Sequence, residues 1–234
     1  MNTPKQTSSL ARQDRELLSE LTRTEHAETT ADLNTRGWKP AVANSQNRLS
    51  QLSGLIASTS STLACKSGCW YCCHFLVEAR AEEVLQIADY VNSRFTKEQV
   101  QQLRERLANN AAILRQMSRE QQLSANVACA FLQDGKCSVY NLRPMRCRSF
   151  HATDVTGCKQ AYEQPGNLDI KSSLLPQLLY TAEAHIKGSR QAFEQAGYDN
   201  TTYELNAAME LALTDSTPKR QFEKREPAFV NKAD

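Results

Sequence analysis

The sequence predicts a mainly α protein in which a small, irregular, cysteine-rich lobe is stapled to a helical bundle. Three observations support this. Apolar residues recur at helical spacing through most of the chain, eight cysteines are confined to one segment, and that segment carries turn signals instead of periodicity. With 234 residues the chain is long enough to bury a core. The bundle can therefore be stable by itself, and the order of the lobe needs a separate explanation.

Residues 1–62 are predicted to be an N-terminal helical extension. The stretch from about residue 10 to residue 30 is polar and compatible with a helix. A break follows at a Gly-Trp-Lys-Pro sequence, and a second helix is predicted where Leu49, Leu52 and Ile56 recur at spacings of three and four. This helix should deliver the chain to the first cysteine.

Two further helices are predicted between the two halves of the cysteine set. Apolar residues from Val84 to Phe95 lie on one helical face. A capping box at Thr96 then opens a helix whose apolar stripe extends to Leu114. We expect these helices to form a hairpin over residues 80–120.

The C-terminal part, residues 166–214, is predicted to contain two more helices. The first ends at the C-cap candidate Gly197, and the second begins at a capping box formed by Thr201 and Glu204. The last segment, residues 215–234, mixes both signs of charge with two prolines and has few apolar residues. We expect it to be a disordered tail.

Every cysteine of the chain lies in the predicted domain of residues 63–165. The thiols follow the order C-x3-C-x2-C-C and then C-x7-C-x9-C-x10-C. Steps of two or three residues let a turn aim two sulfurs at one point, and clustered thiolates bind zinc or iron. We therefore expect a metal-binding domain whose candidate ligands are Cys65, Cys69, Cys72, Cys73, Cys129, Cys137, Cys147 and Cys158.

The adjacent pair Cys72 and Cys73 leaves the number of metal centres open, because neighbouring side chains usually diverge. Either the eight thiols serve two centres, with four ligands each as in closed zinc sites, or one of the pair is spare. A single iron–sulfur cluster, which takes about four cysteines, is a further alternative. The choice between zinc and iron also stays open, since soft thiolates accept both.

Polar neighbours of the cysteines are candidates for secondary roles. Three arginines within residues 143–148 flank Cys147, where they either donate to thiolate sulfur or lie on the surface. His74 and His151 lie near cysteines and are alternative ligands. Two competing interpretations of the cysteines are four disulfides or ordinary buried thiols.

The cysteine segment resembles a known family in its motifs. Residues 65–73 contain the C-x3-C-x2-C-C step, residues 140–144 a Tyr-x-x-Arg-Pro turn, and residues 147–150 a Cys-Arg-x-Phe step. Together they are similar to the CxxCxxCC cysteine-cluster family, also called the YkgJ type, which is described as chelating zinc or iron. The resemblance covers roughly residues 60–165. Ala130, which directly follows Cys129, departs from this pattern, because the family commonly has proline after the corresponding cysteine.

This resemblance implies two classes of function. Flagellin lysine methylases are similar to the family through the same cluster, which implies a metal-dependent protein-modifying enzyme such as a lysine N-methylase-like protein as the alternative. The sequence contains no glycine-rich strand-to-helix turn of the dinucleotide-binding type. We therefore expect a metal-binding protein with a structural, storage or sensing role. A helical adaptor, with residues 100–114 as its partner-binding face, is a third hypothesis.

Charge and hydropathy restrict the partners and the compartment. With 28 basic and 26 acidic residues the net charge is +2, which gives no electrostatic case for binding nucleic acid or an anionic membrane. No apolar run approaches the roughly 20 residues that cross a bilayer, and no secretory signal is visible. We expect a cytoplasmic protein with reduced thiols, a metal ion as ligand and room for a protein partner.

Overall fold

A computed structural model describes residues 12–60, 63–66 and 68–229, which form ten α-helices and four short strands. The prediction of a mainly α fold is confirmed. The helices are α1 (Arg12–Arg36), α2 (Trp38–Ser58), α3 (Ala81–Arg94), α4 (Lys97–Arg115), α5 (Arg119–Leu123), α6 (Met145–Ser149), α7 (Val155–Glu163), α8 (Pro176–Gln195), α9 (Leu205–Thr214) and α10 (Thr217–Glu223). The strands are β1 (Glu78–Arg80), β2 (Leu132–Gln133), β3 (Lys136–Cys137) and β4 (Thr202–Glu204). None of the described helices is long and apolar enough to cross a membrane.

Helices α1 and α2 pack against α8 from the other end of the chain. Small residues on α8 allow α1 to approach closely, since a Cβ added at Gly188 would collide with the Thr22 carbonyl oxygen. The Thr22 hydroxyl in turn donates to the Ala184 carbonyl at 3.1 Å. The predicted N-terminal extension is therefore packed along a C-terminal helix.

A buried polar network fixes how these three helices fit together. The Glu25 carboxylate, which is 2% exposed, accepts hydrogen bonds from Thr29 (2.7 Å), Ser45 (2.6 Å) and Arg48 (2.7 Å). His185 on α8 completes the network, with its Nδ1 3.3 Å from Glu25. Because buried polar groups are costly unless they are paired, this network favours one arrangement of α1, α2 and α8.

The predicted hairpin of residues 80–120 is present as two helices, but its packing differs from the expectation. Helices α3 and α4 each pack more extensively on α9 than on each other. The N-cap of α9 is Glu204, whose carboxylate accepts from the amides of Asn206 and Ala207, instead of the predicted Thr201. Strand β4 immediately before it pairs antiparallel with β1.

The prediction that residues 215–234 form a disordered tail is wrong for the part that the structure describes. Helix α10 covers Thr217–Glu223, and Phe222 is fully buried and stacked on Tyr198 with ring centroids 4.8 Å apart. Phe229 is also buried. A few apolar residues suffice here because the helices already offer a hydrophobic surface that receives them. Residues 230–234 lie outside the described part of the chain.

One hydrophobic core draws side chains from every predicted segment. It contains Trp38, Val84, Phe131, Phe193 and Phe222, all buried. The predicted boundaries at residues 62/63, 165/166 and 214/215 stay predictions, and the core is continuous across them. The cysteine-rich lobe lies against this core.

Candidate metal centre

The first cysteine stretch is a series of tight turns. The Cys69 amide donates to the Lys66 carbonyl (3.0 Å) and the Cys73 amide to the Trp70 carbonyl (2.9 Å), and Tyr71–His74 form a short 3-10 helix. Since a 3-10 helix has three residues per turn, the adjacent Cys72 and Cys73 project about 120° apart around its axis.

Aromatic rings fasten this stretch to α7. The Trp70 ring packs edge-on against Tyr162 with centroids 5.1 Å apart, and the His74 ring lies 4.8 Å from the same tyrosine. Tyr162 follows Cys158 by four positions, so both lie on one face of α7. The packing therefore carries Cys158 alongside the first stretch. Sequence analysis missed these rings, although Trp70 and Tyr71 stand directly between two cysteines.

The second stretch begins with a hairpin that carries Cys137. Strands β2 and β3 pair antiparallel, and both turn residues have positive φ, 49° at Asp134 and 72° at Gly135. This is the backbone that an Asp-Gly pair favours in a two-residue hairpin turn. The predicted turn is thus confirmed, and it holds Cys137 opposite Leu132.

Cys147 is carried by α6, whose start is held by a buried glutamate. Pro144 is the N-cap of α6. The Glu83 carboxylate accepts from the Met145 amide at 2.7 Å and from the Arg80 amide at 3.0 Å, so one side chain joins the first turns of α3 and α6. Sequence analysis missed Glu83. The sequence feature that could have identified Glu83 is its third position in a predicted helix. A carboxylate there can accept a hydrogen bond from the backbone amide just before the helix.

Hydrogen bonds join the two cysteine stretches at both ends. The Cys129 amide donates to the Cys73 carbonyl at 2.7 Å. At the other end, the Ala64 amide donates to the Ala152 carbonyl at 2.9 Å, and the Ala152 amide donates to the Cys65 sulfur at 3.2 Å. The structure therefore brings together segments that are far apart in the sequence.

Four thiols, those of Cys72, Cys129, Cys137 and Cys147, act on one another electrostatically. Burial raises the pKa of Cys129 to about 11, and charge on Cys137 and Cys72 adds to the shift. Burial is also the main cause that raises the pKa of Cys147, with contributions from the other three. For Cys72, the hydrogen bond with Cys73 is the largest cause of its raised pKa, ahead of burial. Without metal these thiols are protonated at neutral pH.

Cys65, Cys69 and Cys158 form a second neighbourhood. Burial is the largest cause that raises the pKa of Cys65, and charges on Cys69, Cys72 and Cys158 add to it. Burial likewise raises the pKa of Cys158, with Cys72 and Cys69 contributing. Cys72 therefore acts electrostatically on thiols of both groups.

The donor set fits a soft metal ion in its chemistry, although its side chains do not already surround one. All eight cysteines are free thiols. Among the residues that the structure describes, no three Cys, His, Asp or Glu side chains are arranged to hold an ion. Binding must therefore remove the thiol protons and turn the sulfurs toward a common point.

The positive charge of Arg143 acts on two of the candidate thiols, Cys72 and Cys137. Burial raises the pKa of Cys137, and the positive charge of Arg143 opposes that rise, as it does for Cys72. The guanidinium is held over the Tyr140 ring, with 3.9 Å between the guanidinium carbon and the ring centroid. Its charge therefore favours the thiolate forms that bind metal.

The other two predicted arginines have structural contacts. Arg146 forms a surface ion pair with Glu183 at 2.5 Å. Arg148 is buried and donates to the Arg143 carbonyl (2.9 Å) and to the Ser50 hydroxyl (2.6 Å). Arg148 therefore braces the backbone around Cys147, whereas the Arg146 ion pair lies on the surface.

The two candidate histidines differ in their surroundings. The His74 ring packs among the aromatic rings described above. The Nδ1 atom of His151 is buried and makes no hydrogen bond within the described structure. Burial is the largest cause that lowers the pKa of His151, so the imidazole is neutral at pH 7. A neutral imidazole is the form that binds metal.

The fold and the site together define a class: a mainly helical protein with a lobe of clustered thiols suited to a soft metal ion. Residues 64–168 match the CxxCxxCC family, described as "Putative zinc- or iron-chelating domain". The match contains all eight cysteines and spans less than half of the chain. It confirms the resemblance found in the sequence and supports the binding of zinc or iron. No curated protein and no solved structure matches the chain significantly.

Proposed function

We propose that the lobe binds zinc or iron through ligands drawn from its eight cysteines, and that the metal is structural. The observation that carries this proposal is the convergence of the two cysteine stretches. Cys129 is hydrogen-bonded to Cys73, Cys65 is hydrogen-bonded to Ala152, and thiols from both stretches shift one another's pKa. Such a concentration of thiols is unfavourable for ionised sulfur unless a cation compensates the charge.

A structural role follows from the weak packing of the first stretch. None of the described residues from 63 to 75 is fully buried. The hydrophobic effect therefore stabilises this stretch less than it stabilises the buried helices, although the Trp70 and His74 rings pack on Tyr162. Bonds from thiolates to one ion would join it to β3, α6 and α7, as in small domains whose folding energy comes from metal binding.

The chain's own residues prepare the lobe for this role. Arg143 supplies positive charge beside Cys72 and Cys137, and Glu83 holds the helix that carries Cys147. The bound metal would supply Lewis-acid bonds to sulfur. Storage or sensing would use the same ligands but would leave the fold intact when the metal leaves.

The enzyme alternative receives no specific support from the cavity beside Cys129. This cavity is lined by His74, Gln122, Cys129 and Asn206, among others, and has a volume of about 10 Å³. That is room for about one water molecule. The cavity does not accommodate a lysine side chain.

Elemental analysis with an absorption spectrum, on protein purified anaerobically, tests the proposal. We expect stoichiometric zinc in a colourless protein or iron in a coloured one. Cys69→Ser and Cys147→Ser should each lower bound metal and increase proteolysis throughout residues 60–160. Ala128→Ser, at an exposed position of the same lobe, is the matched control. Full metal occupancy in both cysteine variants would contradict the proposal.

A further inference from the structure

We infer that acid loosens the attachment of helix α1 to α2 and α8, and that His185 is the group that senses the acid. This residue is 2% exposed and lies where the three helices meet. Proton uptake by its imidazole would weaken the contacts of α1 and expose the faces of α2 and α8 that α1 covers. The device lies outside the cysteine lobe and does not depend on the proposed function.

Helix α1 is attached to its neighbours mainly through polar side chains. Among its residues whose side chains the structure describes, only Glu25 and Thr29 are fully buried. The apolar residues Leu21 and Leu33 are partly buried. Because little apolar surface is removed from water, the attachment depends on hydrogen bonds and charges. Such an attachment is sensitive to the addition of a proton.

The Glu25 carboxylate is already paired before any imidazolium forms. It accepts four hydrogen bonds, one each from Thr29 and Ser45 and two from Arg48. A carboxylate offers about four acceptor positions, so its capacity is used. Arg48 also compensates the negative charge of Glu25 and is paired with Asp32 at 3.0 Å.

A proton taken up by His185 would have to enter this closed network. The Ser45 carbonyl, which can only accept, lies 2.9 Å from Nε2, so Nε2 carries the hydrogen of the neutral ring. The added proton would therefore go to Nδ1, which lies 3.3 Å from Glu25. It would place a second positive charge beside Arg48 at a buried position, and both charges would compete for one carboxylate.

The charged groups around His185 come from each helix that packs on α8. Glu25 faces it from α1 and Arg48 faces it from α2. From α6, Arg146 is paired with Glu183 of α8 on the surface. Burial lowers the pKa of His185, Glu25 partly opposes this, and the charge of Arg48 adds to the lowering. The neutral imidazole is therefore the form that the closed helices favour.

The lowered pKa sets the direction of the effect. His185 ionises near 6.5 in the unfolded chain and at lower pH in the folded chain. Its contribution to stability is therefore complete above pH 6.5 and is lost as the pH falls through the folded pKa. For one proton, the opening constant of α1 rises by at most about tenfold per pH unit in this window.

Hydrogen exchange of the full chain between pH 5 and pH 8, followed by mass spectrometry, tests this inference. After correction for intrinsic rates, protection in α1 should fall below pH 6.5, whereas protection in α4 should stay constant. His185→Gln should abolish the pH dependence in α1, because glutamine does not titrate and can still donate to the Ser45 carbonyl. His26→Gln is the matched control, since His26 contacts Gln195 at 2.8 Å across the same two helices. It should keep the wild-type pH dependence.

An NMR titration of the His185 ring in the wild type keeps the test decisive if the glutamine variant does not fold. Its midpoint should lie below 6.5, and the α1 amides should shift with the same midpoint. A midpoint at or above 6.5, unchanged α1 exchange between pH 7 and pH 5, or a pH dependence retained in His185→Gln would overturn the inference. Loss of metal in acid would affect His185→Gln equally, so these outcomes are independent of the proposed metal binding.

Discussion

The Cys129 amide donates a 2.7 Å hydrogen bond to the Cys73 carbonyl, which joins the last residue of the first cysteine stretch to the first cysteine of the second. Helices α3, α4 and α5 lie between these residues in the sequence. Because the bond uses backbone groups, it leaves both thiols free. The backbone itself therefore holds the two stretches next to each other at this point.

Arg143→Ala should weaken zinc binding by about tenfold, the lower end of the effect of residues that contact metal ligands. The reason is that Arg143 opposes the raised pKa of Cys137 and Cys72. Competition with a chromophoric chelator measures the zinc Kd. Arg146→Ala is the control: its ion pair with Glu183 is on the surface, so Kd should change less than twofold. Equal effects of the two substitutions would count against a role for Arg143.

Glu83→Ala should destabilise the protein by about 3 kcal/mol, because two backbone amides lose a charged acceptor in a buried position. Urea denaturation of the metal-free protein measures the loss. The variant should also increase the rate at which Cys147 is alkylated, since α6 is no longer held to α3. Glu98→Ala, in the exposed first turn of α4, should change stability by less than about 0.5 kcal/mol. A Glu83 variant as stable as the Glu98 variant would refute the bridging role.

Gly188→Ala should destabilise the protein by about 1 to 3 kcal/mol, because the new methyl group would meet the Thr22 carbonyl and the backbone of α1. Gly54→Ala is the matched control in α2, where an added Cβ has no neighbour within 4 Å. That change should stabilise the protein by about 0.4 to 1 kcal/mol through the unfolded state. Urea denaturation compares the two, and metal content should stay unchanged in both. Stabilisation by Gly188→Ala would show that α1 does not approach α8 this closely.

The metal-free protein should lose stability as the pH rises above 9. The folded state keeps the Cys129 proton until its pKa of about 11, whereas the unfolded thiol ionises near 9.0. Stability from this group is therefore complete below pH 9 and is lost by pH 11, by roughly 2 to 3 kcal/mol. Urea denaturation between pH 8 and pH 11, with reductant and chelator, measures the slope. Cys129→Ser should reduce that slope, and a wild-type stability independent of pH in this range would contradict the prediction.

Local sequence was enough to predict the features that local physics controls. Thr96 caps α4 with Gln99 as expected, and Gly197 follows α8 with a φ of 76°. Asp134 and Gly135 form the predicted turn. Each depends on residues within one turn of each other, which is why periodicity and capping residues identify them. The mainly α fold was predictable for the same reason.

Contacts between distant residues decided the rest. Phe222 looks like part of a polar tail in the sequence, yet it is buried because the helices before it form a surface that receives it. Glu83 and Met145 are joined by one hydrogen bond that no local pattern indicates. The sequence by itself determined the helices α1 to α4, α8 and α9 and the set of candidate thiols. Only the tertiary structure decided which thiols lie near one another and that the His151 Nδ1 is buried without a partner, because burial and proximity depend on how separate segments pack.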